Sequence, residues 1–272
     1  MKVKASFIAA VCFFTINIQA QNTENYAFKS GEKLQYDVFF NWGFIWITAA
    51  NVDFTVSDAT YNKTPVYLLK MAGKTAKAAS MFSFTDTATV YVNKKTLKPY
   101  FFREASIEPN FYNINRQTFF SNDTVKWGVF VENERKNRAL KRDTLTSNKM
   151  AYYDLYSTLY NLRNMNSDNW TINQKIPMSL IFSSDTLTLQ LRYVGKEKIT
   201  LKNGKTYNAL KMKSALAEGK MFDKNEEMIL WISDDKNHIP LMIESKLKVG
   251  AIKAQLAKVE NNLHPIAETS KK

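Results

Sequence analysis

The sequence predicts a mainly β protein: curved antiparallel sheet packed around one central α-helix, with a faint echo of two related half-units. Three observations carry this. Apolar residues recur at every second position over long stretches, polar turn clusters separate those stretches, and one segment alone has helical spacing.

The first strand is predicted over Gly31 to Asn41, with Leu34, Tyr36, Val38, Phe40 and Trp42 on one face and Lys33, Gln35, Asp37 and Asn41 on the other. Gly43 marks a turn. From there the even positions Phe44, Trp46, Thr48, Ala50, Val52, Phe54 and Val56 form a second alternating row. The pair reads as a hairpin with an aromatic face. Further strands are predicted at 66–71, 87–92, 100–106, 113–120 and 124–131. After the middle of the chain they continue at 175–182, 187–194, 199–201, 207–212, 227–232, 241–249 and 252–259. Asn203-Gly204 is a strong hairpin turn.

The segment from Asn148 to Met165 breaks the pattern. Met150, Leu155, Leu159, Leu162 and Met165 approach helical spacing, and Tyr152, Tyr153, Tyr156 and Tyr160 widen the apolar surface. This predicts a buried helix over about 149–165, capped by Asn148, in the concavity of the sheet. Leu155, Leu159 and Leu162 are expected against the sheet. Arg163 borders that stripe and is expected to reach a carboxylate or strand carbonyls, because an unpaired buried charge is very costly.

The echo lies on either side of the helix. Val90 to Glu104 and Leu230 to Glu244 share a grammar of strand, polar turn, proline, strand and glutamate. Each follows a strand ending Leu-Lys-Met, at Leu69-Lys70-Met71 and Leu210-Lys211-Met212. Without a low-complexity linker, 21–260 reads as one domain. The polar stretch 261–272 is expected to be a disordered tail.

Residues 1–20 carry Lys2 and Lys4, an apolar run and Ala20, the grammar of a cleaved export signal. Thr15, Asn17 and Gln19 interrupt the run, which is too short for a span. Cys12, the one cysteine, lies inside it, and the bulky Val11 before it does not suit a lipoprotein cut. The remaining chain would have no cysteine and no transmembrane span. An exported chain of this size without disulfides points to the periplasm or envelope of a bacterium. Asn62, Asn122 and Asn169 head Asn-x-Ser/Thr triplets, read as chance in that compartment.

The chain has 38 Lys+Arg against 25 Asp+Glu, a formal charge of +13. Loss of Lys2 and Lys4 with the leader lowers that to +11. Such a surface suits an anionic envelope partner. The basic residues are spread, and no nucleic-acid fold signature accompanies them. With two histidines, His238 and His264, the sequence offers no metal site or catalytic triad, and it calls for no cofactor. Phosphate-binding and nucleophile-elbow motifs are missing.

The aromatic surplus is the best functional candidate. Phe40, Trp42, Phe44 and Trp46 in the hairpin, Tyr156 and Tyr160 on the helix, and Trp231 late in the chain are the expected lining of a ligand cavity. This favours a non-enzymatic envelope protein that binds an apolar or amphipathic ligand, such as a lipid or lipid-linked glycan. The alternatives are a hydrolase of envelope polysaccharide using carboxylates such as Asp37, Asp86 or Asp234, and a scaffold of an envelope assembly.

Gly31-Glu32-Lys33-Leu34-Gln35-Tyr36-Asp37-Val38, the helix segment Asp154 to Arg163, and Trp231 to Asp235 with Ile239 to Glu244 together resemble the bacterial family catalogued as domain of unknown function 3108. The resemblance covers about residues 30–260. It implies an exported β-rich protein and supplies no catalytic residue. The Trp-x-Ser-Asp and Pro-x-x-x-Glu ending is also similar to late strands of periplasmic lipoprotein carriers, which close a curved sheet with more helices than this chain offers.

Overall fold

A computed structural model describes residues 25–42, 45–76, 85–148, 151–182, 185–215, 227–247 and 250–269. The segment 1–20, read as an export signal, and Phe44 lie outside these ranges. The strands are β1 Lys33–Trp42, β2 Ile45–Tyr61, β3 Thr64–Thr75, β4 Thr85–Asn93, β5 Pro99–Glu108, β6 Phe111–Phe120, β7 Trp127–Arg135 and β8 Lys141–Ser147. Helix α1, Leu155–Arg163, follows. The second set is β9 Lys175–Phe182, β10 Asp185–Thr200, β11 Thr206–Ala215, β12 Glu227–Ser233, β13 Pro240–Lys246, β14 Ala251–Glu260 and the short β15 Glu268–Thr269.

All of these strands share one antiparallel sheet, ordered β8-β7-β6-β5-β4-β3-β2-β1-β14-β13-β12-β11-β10-β9, with β15 paired to β11. Two meanders therefore meet where β1 pairs with β2 on one side and β14 on the other. The sheet is strongly curved and not closed by pairing of β8 with β9. Its two ends nevertheless approach: Gln117 Nε2 on β6 donates to the Ile181 carbonyl on β9 at 3.4 Å. Ile181 N–H donates to the Tyr153 carbonyl in the segment entering α1.

Helix α1 fills the concavity and touches both meanders. Tyr156 and Tyr160 pack with Val56, Leu69, Val90 and Phe102 of the first. Leu162 packs with Ile176, Leu191, Leu210 and Ile232 of the second. The expected helix at 149–165 is shorter than read. It starts after Asp154, not Asn148, because the Asp154 carboxylate accepts the Tyr156 and Ser157 N–H groups at 2.9 and 3.0 Å. The buried stripe shifts with it. Tyr156, Tyr160 and Arg163, spaced four and three apart, take the stripe expected for the leucines. Leu155, one position earlier, is 46% exposed, while Leu162 remains buried.

One strand is additional to those expected, and two further expectations change. β8 reads Lys-Arg-Asp-Thr-Leu-Thr-Ser and carries no apolar alternation; it is an edge strand whose charges resist further pairing. The strands expected at 187–194 and 199–201 are one, β10, with a register shift between Tyr193 and Gly195. The tail expected to be disordered is anchored through residue 269. Ala267 N–H donates to Asp235, His264 N–H donates to the Asn237 side chain, and β15 pairs with Tyr207.

The echo has a geometric counterpart. Leu97 and His238, each two residues before its proline, have positive φ of 54° and 43°. Each turn also faces a register shift, between Tyr91 and Val92 opposite Pro99 and between Trp231 and Ile232 opposite Pro240. The left-handed residue turns the chain so that the proline, which has no N–H to give, can open the next strand.

Candidate functional site

The site is built where β1, β2, β13 and β14 pass under α1. Alternation on β1 aims Leu34, Tyr36 and Val38 inward. On β2 their partners Phe54, Val52 and Ala50 do the same. Leu34, Tyr36, Val38, Val52 and Phe54, with Leu159 and Tyr160 of α1 and Pro240, Ile243 and Ala254 beside them, line a partly open cavity of about 160 Å³. Two of its polar side chains, Tyr36 and Arg163, are engaged with the protein itself. The Tyr36 hydroxyl donates to the Pro240 carbonyl at 2.8 Å. Burial raises the Tyr36 and Tyr160 pKa values well above the phenolic range, so both hydroxyls stay neutral.

Arg163 forms one wall yet presents only its stem. Its Nη1 and Nη2 donate to the two Glu32 carboxylate oxygens at 2.6 and 2.8 Å, and its Nε donates to the Asn237 carbonyl at 3.0 Å. The guanidinium lies 5.2 Å from the Phe28 and Tyr160 ring centres. This is the carboxylate and carbonyl partnership expected from the sequence. The pair joins the segment before β1, the end of α1 and the turn before β13.

That turn is also fixed. Asp235 accepts from the Ser233 hydroxyl and from the Asn237 N–H, and Ser233 Oγ accepts the Ile239 N–H. The Nδ1–H of His238 donates to the Arg163 carbonyl at 2.8 Å, satisfying an acceptor at the helix end. Its Nε2 then accepts the Ser167 hydroxyl at 3.0 Å. The Trp-x-Ser-Asp-Asp stretch thus acts as a clamp on α1.

The expected lining residues disperse. Tyr160 lines the cavity. Tyr156 is buried next to it, between Phe54 and Phe102, and donates to Glu104 at 3.4 Å. Phe40 is half-buried and shares the face of Val38. The Trp42 side chain and Phe44 lie outside the described residues. Trp46 is 42% exposed and sits on the opposite face. An extra residue in β2, Ala49, shifts the pairing from Val38↔Ala50 to Phe39↔Thr48, so Trp46 pairs with Asn41 rather than with Trp42. Its ring is covered by Lys253 Nζ at 4.8 Å. Trp231 is buried but faces away from α1, since Leu230 and Ile232 beside it pack toward Leu162. Its Nε1–H donates to Glu197, under Lys211.

Among the carboxylates considered, Asp37 accepts from Asn51 on the outer face and Asp234 pairs with Lys196 at 2.9 Å. Asp86 lies on the inner face and accepts the Ser106 hydroxyl at 2.5 Å. Sequence reading missed Leu34, Tyr36, Val52 and Phe54 as lining, although all four stand in the alternating rows that predicted the hairpin.

A family model described as protein of unknown function (DUF3108) matches residues 35–257. No curated protein matches the chain. Among solved structures, a beta-barrel-like protein of domain of unknown function DUF1849 from Brucella abortus is similar at a TM-score of 0.52 and 7% identity. The alignment covers 85% of this chain and 97% of that one. The likeness is one of fold. No helix among the described residues is long and apolar enough to cross a membrane.

Proposed function

The chain belongs to the DUF3108 family, and we propose that it serves as a non-enzymatic binding protein of the bacterial envelope whose ligand is apolar or amphipathic. The observation that carries this is the apolar cavity under α1. Its size decides the mode of binding. Sites that enclose a drug-sized ligand run to roughly 300–1,000 Å³, whereas a cavity of about 150 Å³ lined by aliphatic groups takes one benzene. A volume of about 160 Å³ therefore suits the end of an acyl or isoprenoid chain rather than a whole lipid. The inner face continues the apolar surface past the cavity through half-buried Phe40 and the exposed Ile47 opposite it. The leader at 1–20 supports export, and the basic surplus suits an anionic envelope surface.

Filling the cavity tests the reading. Ala254→Phe should abolish binding of a fluorescent fatty acid that the unaltered chain takes up, with the fold retained by circular dichroism. Protein purified from envelopes should release lipid on organic extraction. Equal probe binding by both proteins, with no extractable lipid, would overturn the reading.

A further inference from the structure

We infer that the first meander carries a separate polar subsite on the same concave face, shaped for an uncharged polyhydroxyl group such as a sugar or glycerol headgroup. The inference rests on the chain-binding reading above and adds the chemistry of the other end of the ligand.

The register builds this subsite. Ala88, Glu104, Asn115 and Asn133 stand opposite one another across β4, β5, β6 and β7. One row further along the strands stand Asp86, Ser106, Asn113 and Arg135. Gln117 lies one row back, between Phe102 and Val131. Period two places all of them on one face. It is the face of α1, because Tyr156 reaches Glu104 and Gln117 reaches β9.

Three of these amides are buried. Asn115, Gln117 and Asn133 are 4, 1 and 6% exposed, and Asn115 Oδ1, Gln117 Oε1 and Asn133 Nδ2 have no hydrogen-bond partner in the protein. A buried polar atom left unmatched costs about 1–3 kcal/mol, and such atoms are rarely left so. The fold does not demand them. Val129 and Val131 occupy the equivalent inward positions of β7 and pack with Ile181 as ordinary core. An amide ladder in place of valines is a recognition surface. It adjoins the half-buried row of Asp86, Ser106, Asn113 and Arg135, the side from which a ligand would enter.

The charges select the partner. Asp86 and Glu104 face the patch, with Asp154 behind them at the helix cap. Arg135 is the cation of the row, and its Nε is taken by Asn113 Oδ1 at 2.9 Å. Phosphate brings acceptors and negative charge to two carboxylates and is disfavoured. A hydroxyl both donates and accepts, as two orphan acceptors and one orphan donor require. Burial, and then Asp86, raises the Glu104 pKa, which lessens the charge a neutral headgroup must meet. Phe54 lines the apolar cavity and also packs on Tyr156, whose hydroxyl touches Glu104, so chain and headgroup sites adjoin.

Calorimetry with four probes tests this on the full exported chain: octyl glucoside, octyl phosphate and 1-octanol below their micellar limits, and free glucose. Octyl glucoside should bind about tenfold more tightly than either other octyl compound, the factor that one net hydrogen bond of about 1.4 kcal/mol supplies. Asn115→Leu with Asn133→Leu should remove that preference while leaving 1-octanol binding intact. Glu104→Gln, which preserves shape, should keep the glucoside and relax rejection of the phosphate. Glucose binding that depends on Asn115 without any octanol binding would identify a free sugar as ligand, sustaining the polar subsite and overturning the chain site. Equal affinity for glucoside and octanol, or a preference untouched by the double change, would leave the amides as hosts for water only and overturn the polar subsite while sparing the cavity.

Discussion

Arg163 at the end of α1 and Glu32 just before β1 form a two-point ion pair, 131 residues apart in sequence, with 1% and 0% of their side chains exposed. The planar guanidinium matches both carboxylate oxygens, and its remaining donors reach the Asn237 and Ala27 carbonyls. Removing one partner leaves a buried charge. Glu32→Ala should cost about 3–5 kcal/mol in chemical denaturation. Replacing both, as Glu32→Leu with Arg163→Met, should cost less than the single change, since no charge is stranded. A double variant weaker than Glu32→Ala would show that the pair does more than neutralise itself. Arg163→Lys should fail to rescue, because an ammonium cannot reproduce the fork.

The cap of α1 gives a sharper local test. Asp154 is buried, its two oxygens accepting from two backbone N–H groups and the Ser157 hydroxyl. Asp154→Ala should lose about 1–2 kcal/mol of stability, and Asp154→Asn or Asp154→Ser only part of it. A thermal melt of the three variants gives the ordering. If alanine equals asparagine, the carboxylate is not the cap.

The helix leucines divide into three environments. Leu162 is in the second meander's core, Leu159 forms part of the cavity wall, and Leu155 faces solvent. Leu162→Ala should cost about 2–5 kcal/mol. Leu159→Ala should cost less, because the methyl groups removed border space that is already open. Leu155→Ala should stay within about 0.5 kcal/mol of the unaltered chain. Equal effects at 155 and 162 would contradict this orientation of the helix.

What the sequence made legible follows the physics of each signal. Strands with one wet and one dry face, such as β1 and β2, announced themselves by alternation. β8 did not, because an edge strand of charged and hydroxyl residues has no dry face. The helix was visible, but its phase was not. Tyrosine and arginine can be buried when their polar ends find Glu104 and Glu32, and that depends on residues more than fifty positions away. The tail was misread because main-chain groups and the Asn237 and Asp235 side chains hold it, not apolar spacing. Trp46 left the aromatic row for a local reason: one bulge at Ala49 turned it to the other face. The cavity draws its walls from strands at both ends of the chain, so no sequence window contains it.

His238 links acidity to the clamp. Its ring donates from Nδ1 to the Arg163 carbonyl and accepts at Nε2 from Ser167, which is the neutral form. Burial lowers its pKa from 6.5, and nearby Arg163 adds to this, while the backbone bond and Asp235 oppose it in part. The unfolded chain, with a histidine pKa near 6.5, therefore holds the proton more readily than the folded one. Stability is undiminished above about pH 6.5 and falls as the pH drops below it toward the folded value. Denaturant midpoints at pH 7.5 and 5.5 should show the loss, and His238→Gln should flatten it. Glu104 and Asp154, whose carboxyls burial raises, act in the opposite sense, but they are common to both proteins and cancel in the comparison. An unaltered chain whose midpoint shifts no more than that of His238→Gln would mean that the ring is as easily protonated in the fold as in the unfolded chain.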